Sequence, residues 1–511
     1  MKIILVGVGN IGFEVIKLLS PNDEVIAIAR NYPEYLKEYC IGKNNIKFIK
    51  GDATNIEDMR KIAKSKIINE FDGFDALICS LGYNSLANAI NDHKGFKECF
   101  EINYFSNLIP IQIFSNLLKK KRSKIILISA SSGHHADKRM TGYPTSKWAL
   151  ENTFSALREE MAINNITVDV IVVPTIKNKY SKVWKQNNGL KPETIAKKVL
   201  KRIKQPNNKR SFLPKRYILL RFLERLFPEI INLIYGLKPY IFRKKTFKNI
   251  NIKSALITGA AQGLGKELAI LYSKKVKDLY LLDKDSESLI KLSDYLSKDC
   301  KAKIHPINVD LMSASNIETA IKNIAKVDLL INNAGIGYFH PILGTSLKTY
   351  EDCFNINLFA ATYLTSLFFN KPEIPKKIIN ILSTTAIKGR FNVGLYSSSK
   401  SALWNYTRSL RRIYGNKLQV LEVIPSFMNN TNYYSNSNRS IEEANRKIKP
   451  INKLHNKTKA LKVNKLTSSL AAKKIMKSEV QGQEILFIPN LKARLFLILE
   501  TIAPKVFSKL F

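Results

Sequence analysis

Apolar positions along the 511-residue chain fall into two rounds of one rhythm. Each round opens with a short unbroken apolar run, breaks into glycines, and continues with a helical period. The openings are KIILVGVGNIGFEVIKLL from Lys2 and SALITGAAQGLGKELAILY from Ser254. Unbroken apolar runs between polar turns predict strands buried on both faces, and apolar residues three and four apart predict helices. The first round continues with strands at EVIAIAR, IKFIKGD, DALICSLG, KIILISAS and TVDVIVVP. The second continues with DLYLLD, KIHPINVD, VDLLINNAG, KIINILS and LQVLEVIP. Strands alternating with helices predict a parallel sheet covered on both faces. The expected fold class is therefore α/β, with two tandem doubly wound parallel-sheet units.

The rounds also end alike. SFLPKRYILLRFLERLFPEIINLIY from Ser211 and ILFIPNLKARLFLILETIAPKVFSKLF from Ile485 both run strand, proline, basic turn, amphipathic helix, proline and apolar tail. This is duplication of a whole domain, not a short repeat. The expected domains are residues 1–235 and 253–511, joined by a basic linker at 236–252. The chain carries 82 Lys and Arg against 41 Asp and Glu, a formal charge of +41. Such charge attracts nucleic acid and anionic membranes. The lysines are spread throughout, no nucleic-acid motif accompanies them, and no nucleic-acid partner is expected. Five scattered cysteines (Cys40, Cys79, Cys99, Cys300 and Cys353) fit reduced thiols and no metal site. No apolar run approaches the roughly 20 residues that span a bilayer. The expected location is cytoplasmic. The basic amphipathic tails fit either peripheral contact with the inner membrane surface or packing on the protein body.

The candidate chemistry lies in Tyr-x-x-x-Lys, which occurs five times, from Tyr39, Tyr143, Tyr240, Tyr280 and Tyr396. Three lack the right setting. Tyr39 precedes a strand, Tyr240 falls in the linker, and Tyr280 lies within a strand, where residues four apart are about 13 Å distant. Tyr143 and Tyr396 each follow a fifth strand and open a helical stretch, which puts the lysine on the tyrosine's face. A nearby ammonium favours phenolate and lowers the tyrosine pKa, making the phenol a usable acid or base. Ser383, at the end of KIINILS and thirteen residues before Tyr396, supplies a hydroxyl to hold a substrate oxygen. Gly259, Gly263 and Gly265, with Leu264 between the last two, form a strand-to-helix turn suited to a dinucleotide pyrophosphate. Asp283 ends the next strand. A carboxylate there binds ribose hydroxyls and favours NAD over NADP, unless it serves as a helix N-cap.

These features together resemble the short-chain dehydrogenase/reductase family over nearly all of Ser254–Phe511. TGAAQGLG matches the family's TGxxxGxG turn, and NNAG, with Asn333 and Gly335, matches the motif after the fourth strand. The resemblance implies Rossmann-like domains, an NAD(P) cofactor, and hydride exchange with a carbonyl or alcohol substrate. It implies adenine contact for Asp310, a proton-relay role for Asn357, and a catalytic tetrad completed by Ser383, Tyr396 and Lys400. PSFMNNT from Pro425 departs from the family's PGxxxT, which affects the cofactor-covering loop.

The first round departs further. Gly7, Gly9 and Gly12 form a shorter GxGxxG turn, again read as a dinucleotide site. Arg30 ends the second strand; it is either a partner for the 2′-phosphate of NADP or a surface arginine. Asp52 matches Asp310, Asn103 matches Asn357, and Tyr143 and Lys147 match the tyrosine–lysine pair. Thirteen residues before Tyr143 stands Ala130, flanked by Ser129 and Ser131. Ser131 is the preferred substitute, given a small loop difference. This half is either active or a degenerate structural partner. His134 and His135 lie in the intervening loop, and Tyr433 and Tyr434 in a long polar segment after Pro425. Family members pair through the helices around the Tyr-Lys segment. The resemblance therefore implies an intramolecular pseudo-dimer through Asn103–Leu118, Pro144–Glu160 and their counterparts, with room for further homo-oligomerisation. The alternatives to a single lipophilic carbonyl/alcohol activity are a bifunctional enzyme and a nucleotide-sensing scaffold.

Overall fold

The computed structural model describes residues 1–85, 87–118, 123–134, 140–174, 176, 189–205, 210–213, 247–415, 417–426, 428 and 466–488. The first unit contains β1 (Lys2–Val6), β2 (Glu24–Ala29), β3 (Ile46–Lys50), β4 (Ala76–Cys79), β5 (Lys124–Ala130), β6 (Thr167–Val173) and β7 (Arg210–Phe212). The second contains β8 (Ser254–Thr258), β9 (Asp278–Asp283), β10 (Lys303–Asn308), β11 (Leu329–Asn332), β12 (Lys377–Ile381), β13 (Gln419–Pro425) and β14 (Ile485–Ile488). The sheets run β3-β2-β1-β4-β5-β6-β7 and β10-β9-β8-β11-β12-β13-β14. Every pairing in them is parallel. The strand order reverses beside β1 and beside β8, which opens a crevice at the carboxyl ends of the strands.

The central strands are buried on both faces, which explains their continuous apolar runs. An aspartate closes the far end of each sheet. Asp75 accepts the Lys2 N–H at 2.7 Å and Asp328 accepts the Lys253 N–H at 2.7 Å. Buried ion pairs follow the same plan with different partners. Lys124 and Arg202 meet Asp169, while Lys377 meets Glu479.

The two units pack through the helices Gly142–Ala162 and Gly394–Tyr414. Thr153 and Ser398 hydroxyls meet at 2.6 Å, and Trp148 and Trp404 lie edge to face at 6.2 Å. Beside them Phe100 and Tyr104 of the first unit interlock with Phe354 of the second. One apolar core runs across both units. These helices are polar in sequence yet buried almost all round. Ser397, Ser398, Ser399 and Ser401 are inaccessible to solvent. The Ser398, Ser399 and Ser401 hydroxyls return to carbonyls one turn back, on Gly394, Tyr396 and Ser398. Small side chains, three of them satisfied within the helix, let the helix surfaces approach closely.

Most of the expected linker at 236–252 and most of both tails lie outside the described residues, as do His135, Tyr433 and Tyr434. Among the described residues no helix is long and apolar enough to cross a membrane, and no His/Cys/Asp/Glu cluster suits a metal ion.

Candidate active site

At the crevice of the second unit, β8 runs into the turn that opens the helix Gly263–Tyr272. Gly259 adopts φ +64°, and a Cβ at Gly265 would stand 1.9 Å from the Gly259 carbonyl. Only hydrogen fits there, so the helix N-terminus is drawn against the strand end and its free N–H groups face the crevice. Asn333 secures the turn from β11: its Nδ2 donates to the Thr258 and Gly259 carbonyls, both at 3.0 Å.

A cleft of about 570 Å³ extends from this turn. Its walls include Gly259, Gly263, Leu264, Asp283, Asp310, Asn333 and Gly335 at one end, and Ser383, Tyr396 and Lys400 further along. Asp283 accepts the Ala261 N–H at 2.9 Å and the Asp285 N–H at 3.1 Å. The helix N-cap is Asp285, whose side chain accepts the Ser288 N–H, so Asp283 is not needed as a cap. Asp310 accepts the Met312 N–H at 2.9 Å.

Tyr396 and Lys400 lie one turn apart on the helix Gly394–Tyr414. Lys400 Nζ donates to the Ile381 carbonyl at 2.9 Å, and a Cβ at Gly335 would stand 3.1 Å from it. Burial lowers this ammonium to about 8, with Cys353 opposing the shift. Ser383 lies just beyond β12, and its Oγ accepts from the Thr385 N–H and hydroxyl at 3.2 and 3.0 Å. Asn357 sits in a π-helical turn, Asn355–Phe359, of a kind that often marks functional sites. Its amide brackets the main chain of Ile336, accepting the N–H at 2.8 Å and donating to the carbonyl at 2.9 Å. Further donation from Nδ2 to Ser399 Oγ at 2.9 Å ties this turn to the tyrosine helix.

The first unit repeats part of this arrangement. Gly7 has φ +94°, a Cβ at Gly12 would stand 2.2 Å from the Gly7 carbonyl, and Gly9 precedes the helix Asn10–Lys17. Asn103 occupies a matching π turn and brackets Tyr83, at 2.7 and 2.9 Å. Asp52 accepts from the Thr54 N–H and hydroxyl. Lys147 Nζ, lowered to about 8 by burial, donates to the Leu81 carbonyl at 2.9 Å and lies 5.9 Å from the Tyr143 ring centre. Desolvation pushes the Tyr143 phenol up to about 12, with Cys99 adding to it.

Strand register identifies two differences between the halves. Ile128 pairs with Ile171 as Ile381 pairs with Val423, and Leu127 pairs with Cys79 as Asn380 pairs with Asn332. Two residues beyond Ile128 and Ile381 stand Ala130 and Ser383. The following 3-10 turns begin at Ser131 and Thr384, so no extra residue carries Ser131 into the place of Ser383. Ser129, on the other side, spends its hydroxyl on buried Glu151 at 2.7 Å. Likewise Ala29 pairs with Lys50 as Asp283 pairs with Asn308. The carboxylate position is therefore Ala29 in the first unit, and exposed Arg30 follows it.

Sequence reading missed the far end of the cleft, formed by Tyr338, Phe339, Ile356, Val393 and Met428 with Asp352. Tyr338 and Phe339 follow the NNAG segment closely, and their aromatic character was the available signal.

The family model for short chain dehydrogenase matches residues 2–189 and again 253–442. L-xylulose reductase of Mus musculus is 28% identical over 178 residues, 34% of this chain and 71% of that protein. Carbonyl reductase [NADPH] 2 of Sus scrofa is 28% identical over 176 residues, 34% of this chain and 70% of that one. Among solved structures, an N-terminal ketoreductase from the macrolactin assembly line aligns over 95% of this chain and 86% of its own, at TM-score 0.62 and 12% identity. That likeness shows the fold alone, across both units.

Proposed function

The chain belongs to the short-chain dehydrogenase family, which it carries as two tandem copies, and from that premise we propose that its second half exchanges hydride between a nicotinamide dinucleotide and a carbonyl/alcohol substrate. The supporting observation is one continuous cleft joining the glycine turn and Asp283 to Ser383, Tyr396 and Lys400. The residues fit the cofactor. A backbone cradle that a Cβ would fill lies at Gly265, helix N–H groups face the pyrophosphate position, and Asp283 ends the second strand. When bound, a nicotinamide would supply the hydride. Tyr396 gives its proton to the oxygen becoming an alkoxide, or takes one in the reverse direction. Lys400 sets an ammonium one helical turn away to favour the phenolate form, Ser383 Oγ holds the oxygen, and Asn357 fixes the π turn behind them. The aromatic and aliphatic far wall favours a lipophilic substrate. The names of the relatives point to ketones as the class to test, and the apolar lining narrows it to lipophilic ones. NADH consumption with 2,3-butanedione, cyclohexanone and 2-decanone tests the reading; oxidation of NADH and NADPH by none of them would contradict it.

The first half is proposed as a structural partner that transfers no hydride, because Ala130 and Ala29 stand where the second half has a hydroxyl and a carboxylate. Exposed Arg30, beside the turn of Gly7 and Gly12, favours an NADP-linked nucleotide site there.

Two outcomes follow for the second half. Asp283→Ala is expected to raise NADPH use relative to NADH by about tenfold or more, since a carboxylate beside a 2′-phosphate costs several kcal/mol. Paired kcat/KM values for the two cofactors check this, and an unchanged ratio counts against Asp283 as the selector. The Lys400 ammonium is present below about pH 8 and is lost as pH rises through that value. Carbonyl reduction should therefore fall above about pH 8. Lys400→Arg, whose charge persists past about pH 12, should remove that limb from the kcat profile.

A further inference from the structure

The segment that joins Ser383 to Tyr396 is held by the other half of the chain. Asn152 Nδ2 donates to the Ala386 carbonyl at 3.0 Å, and Glu159 accepts the Phe391 N–H at 2.9 Å. A Cβ at Gly389 would stand 2.2 Å from the Asn152 carbonyl, so loop backbone touches helix backbone. A second element, the 3-10 turn Ile342–Gly344, is gripped at both ends. Both Glu160 oxygens lie 2.9 Å from the Ile342 N–H nitrogen, and Oε2 lies 3.4 Å from that of Leu343. Gln112 Nε2 donates to the carbonyls of Ile342 at 2.9 Å and Thr345 at 3.0 Å. A carboxylate thus takes the donors of the turn and an amide takes its acceptors.

The turn touches the catalytic helix directly. A Cβ at Gly394 would stand 2.6 Å from Ile342 Cδ1 and 2.8 Å from Ala156 Cβ. Gly394, which starts the Tyr396 helix, therefore lies against both Ile342 and the first half's Ala156. Tyr338 and Phe339, in the cleft wall, lie just upstream of the same turn. Glu160 is 5% exposed, and burial lifts its carboxyl to about 7 against the pull of the two N–H groups. A group so costly to bury is retained here only with its donors matched.

We infer that Glu160 and Gln112 of the first half are positioning residues for the reaction of the second: they fix the turn behind the substrate wall and, through Ile342, the start of the Tyr396 helix. This rests on the hydride-transfer reading of the cleft. Hydrogen–deuterium exchange on the full chain reads the positioning without turnover, and the ketone panel reads its consequence. In Glu160→Ala, peptides covering 338–345 and 386–394 should exchange faster while those of β8 stay unchanged. KM for the best-reduced ketone should rise about tenfold or more as the substrate wall loosens, and kcat should fall because small misplacements of a reacting pair are costly, while NADH affinity is unaltered. Glu160→Gln keeps an oxygen for the Ile342 N–H and should restore most of the protection and KM. Gln112→Met, similar in bulk but without a donor, should loosen the same peptides and raise KM. It carries the test if Glu160→Ala fails to fold. Unchanged exchange in both segments, or faster exchange with unchanged KM, would overturn the inference. A wild-type chain with protected segments and bound NADH that reduces no ketone would overturn the hydride-transfer reading, and this role with it.

Discussion

Tyr396→Phe is expected to lower kcat for ketone reduction by roughly 10²–10⁴-fold, the usual worth of a positioned acid or base. The ring remains, so the packing around the start of the Gly394–Tyr414 helix remains, and NADH affinity should not change. The lost group is the hydroxyl that shares the cleft with Ser383 and Lys400. Steady-state kinetics with the reduced-cofactor signal at saturating NADH reads the effect directly. The same exchange at Tyr143 should leave kcat unchanged. Burial pushes that phenol up to about 12, and the hydroxyl position beside it is Ala130. A lowered kcat in Tyr143→Phe would favour the bifunctional reading.

Gly265→Ala should have the second largest effect. Its methyl would have to occupy a point 1.9 Å from the Gly259 carbonyl and 2.7 Å from Asn333 Nδ2. Backbone cannot move aside cheaply, so the turn must open at a cost of about 1–3 kcal/mol in stability. The same movement pulls the helix N–H groups out of register with the pyrophosphate position, and NADH binding and turnover should be lost together. Gly12→Ala places a methyl 2.2 Å from the Gly7 carbonyl and should cost comparable stability. Its NADH-linked turnover should nevertheless survive at temperatures where the chain stays folded. Thermal melting with NADH titration separates the two. Equal loss of turnover in both variants would contradict the division of labour.

Much of this was readable from the residues because each relevant signal is local. The two sheets are parallel and covered on both faces, so their strands appear as continuous apolar runs such as KIILV and KIINI. Glycines at strand–helix corners and a tyrosine–lysine pair at helical spacing are likewise fixed by short-range geometry. The missing hydroxyl was visible by counting back from Tyr143, but the choice among Ser129, Ala130 and Ser131 required strand register. Burial of the Gly394–Tyr414 helix followed from the family resemblance alone, since a run of serines looks solvent-facing until their hydroxyls are seen bonding one turn back. Glu160 and Gln112 fall within the segments expected between the halves, but nothing in the sequence marks what they bind. Their roles depend on a turn more than 180 residues away, which no local pattern encodes.

The most direct test follows deuterium into the alcohol. The wild type and chains carrying Tyr143→Phe or Tyr396→Phe are supplied for one fixed short interval with 4,4-dideuterated NADH and the best-reduced ketone, and the amount of labelled alcohol is read by mass spectrometry. Label should reach the carbinol carbon in the wild type and in Tyr143→Phe, and be all but absent in Tyr396→Phe. Label that persists without the Tyr396 hydroxyl, or vanishes without that of Tyr143, would contradict the placement of hydride transfer in the second half.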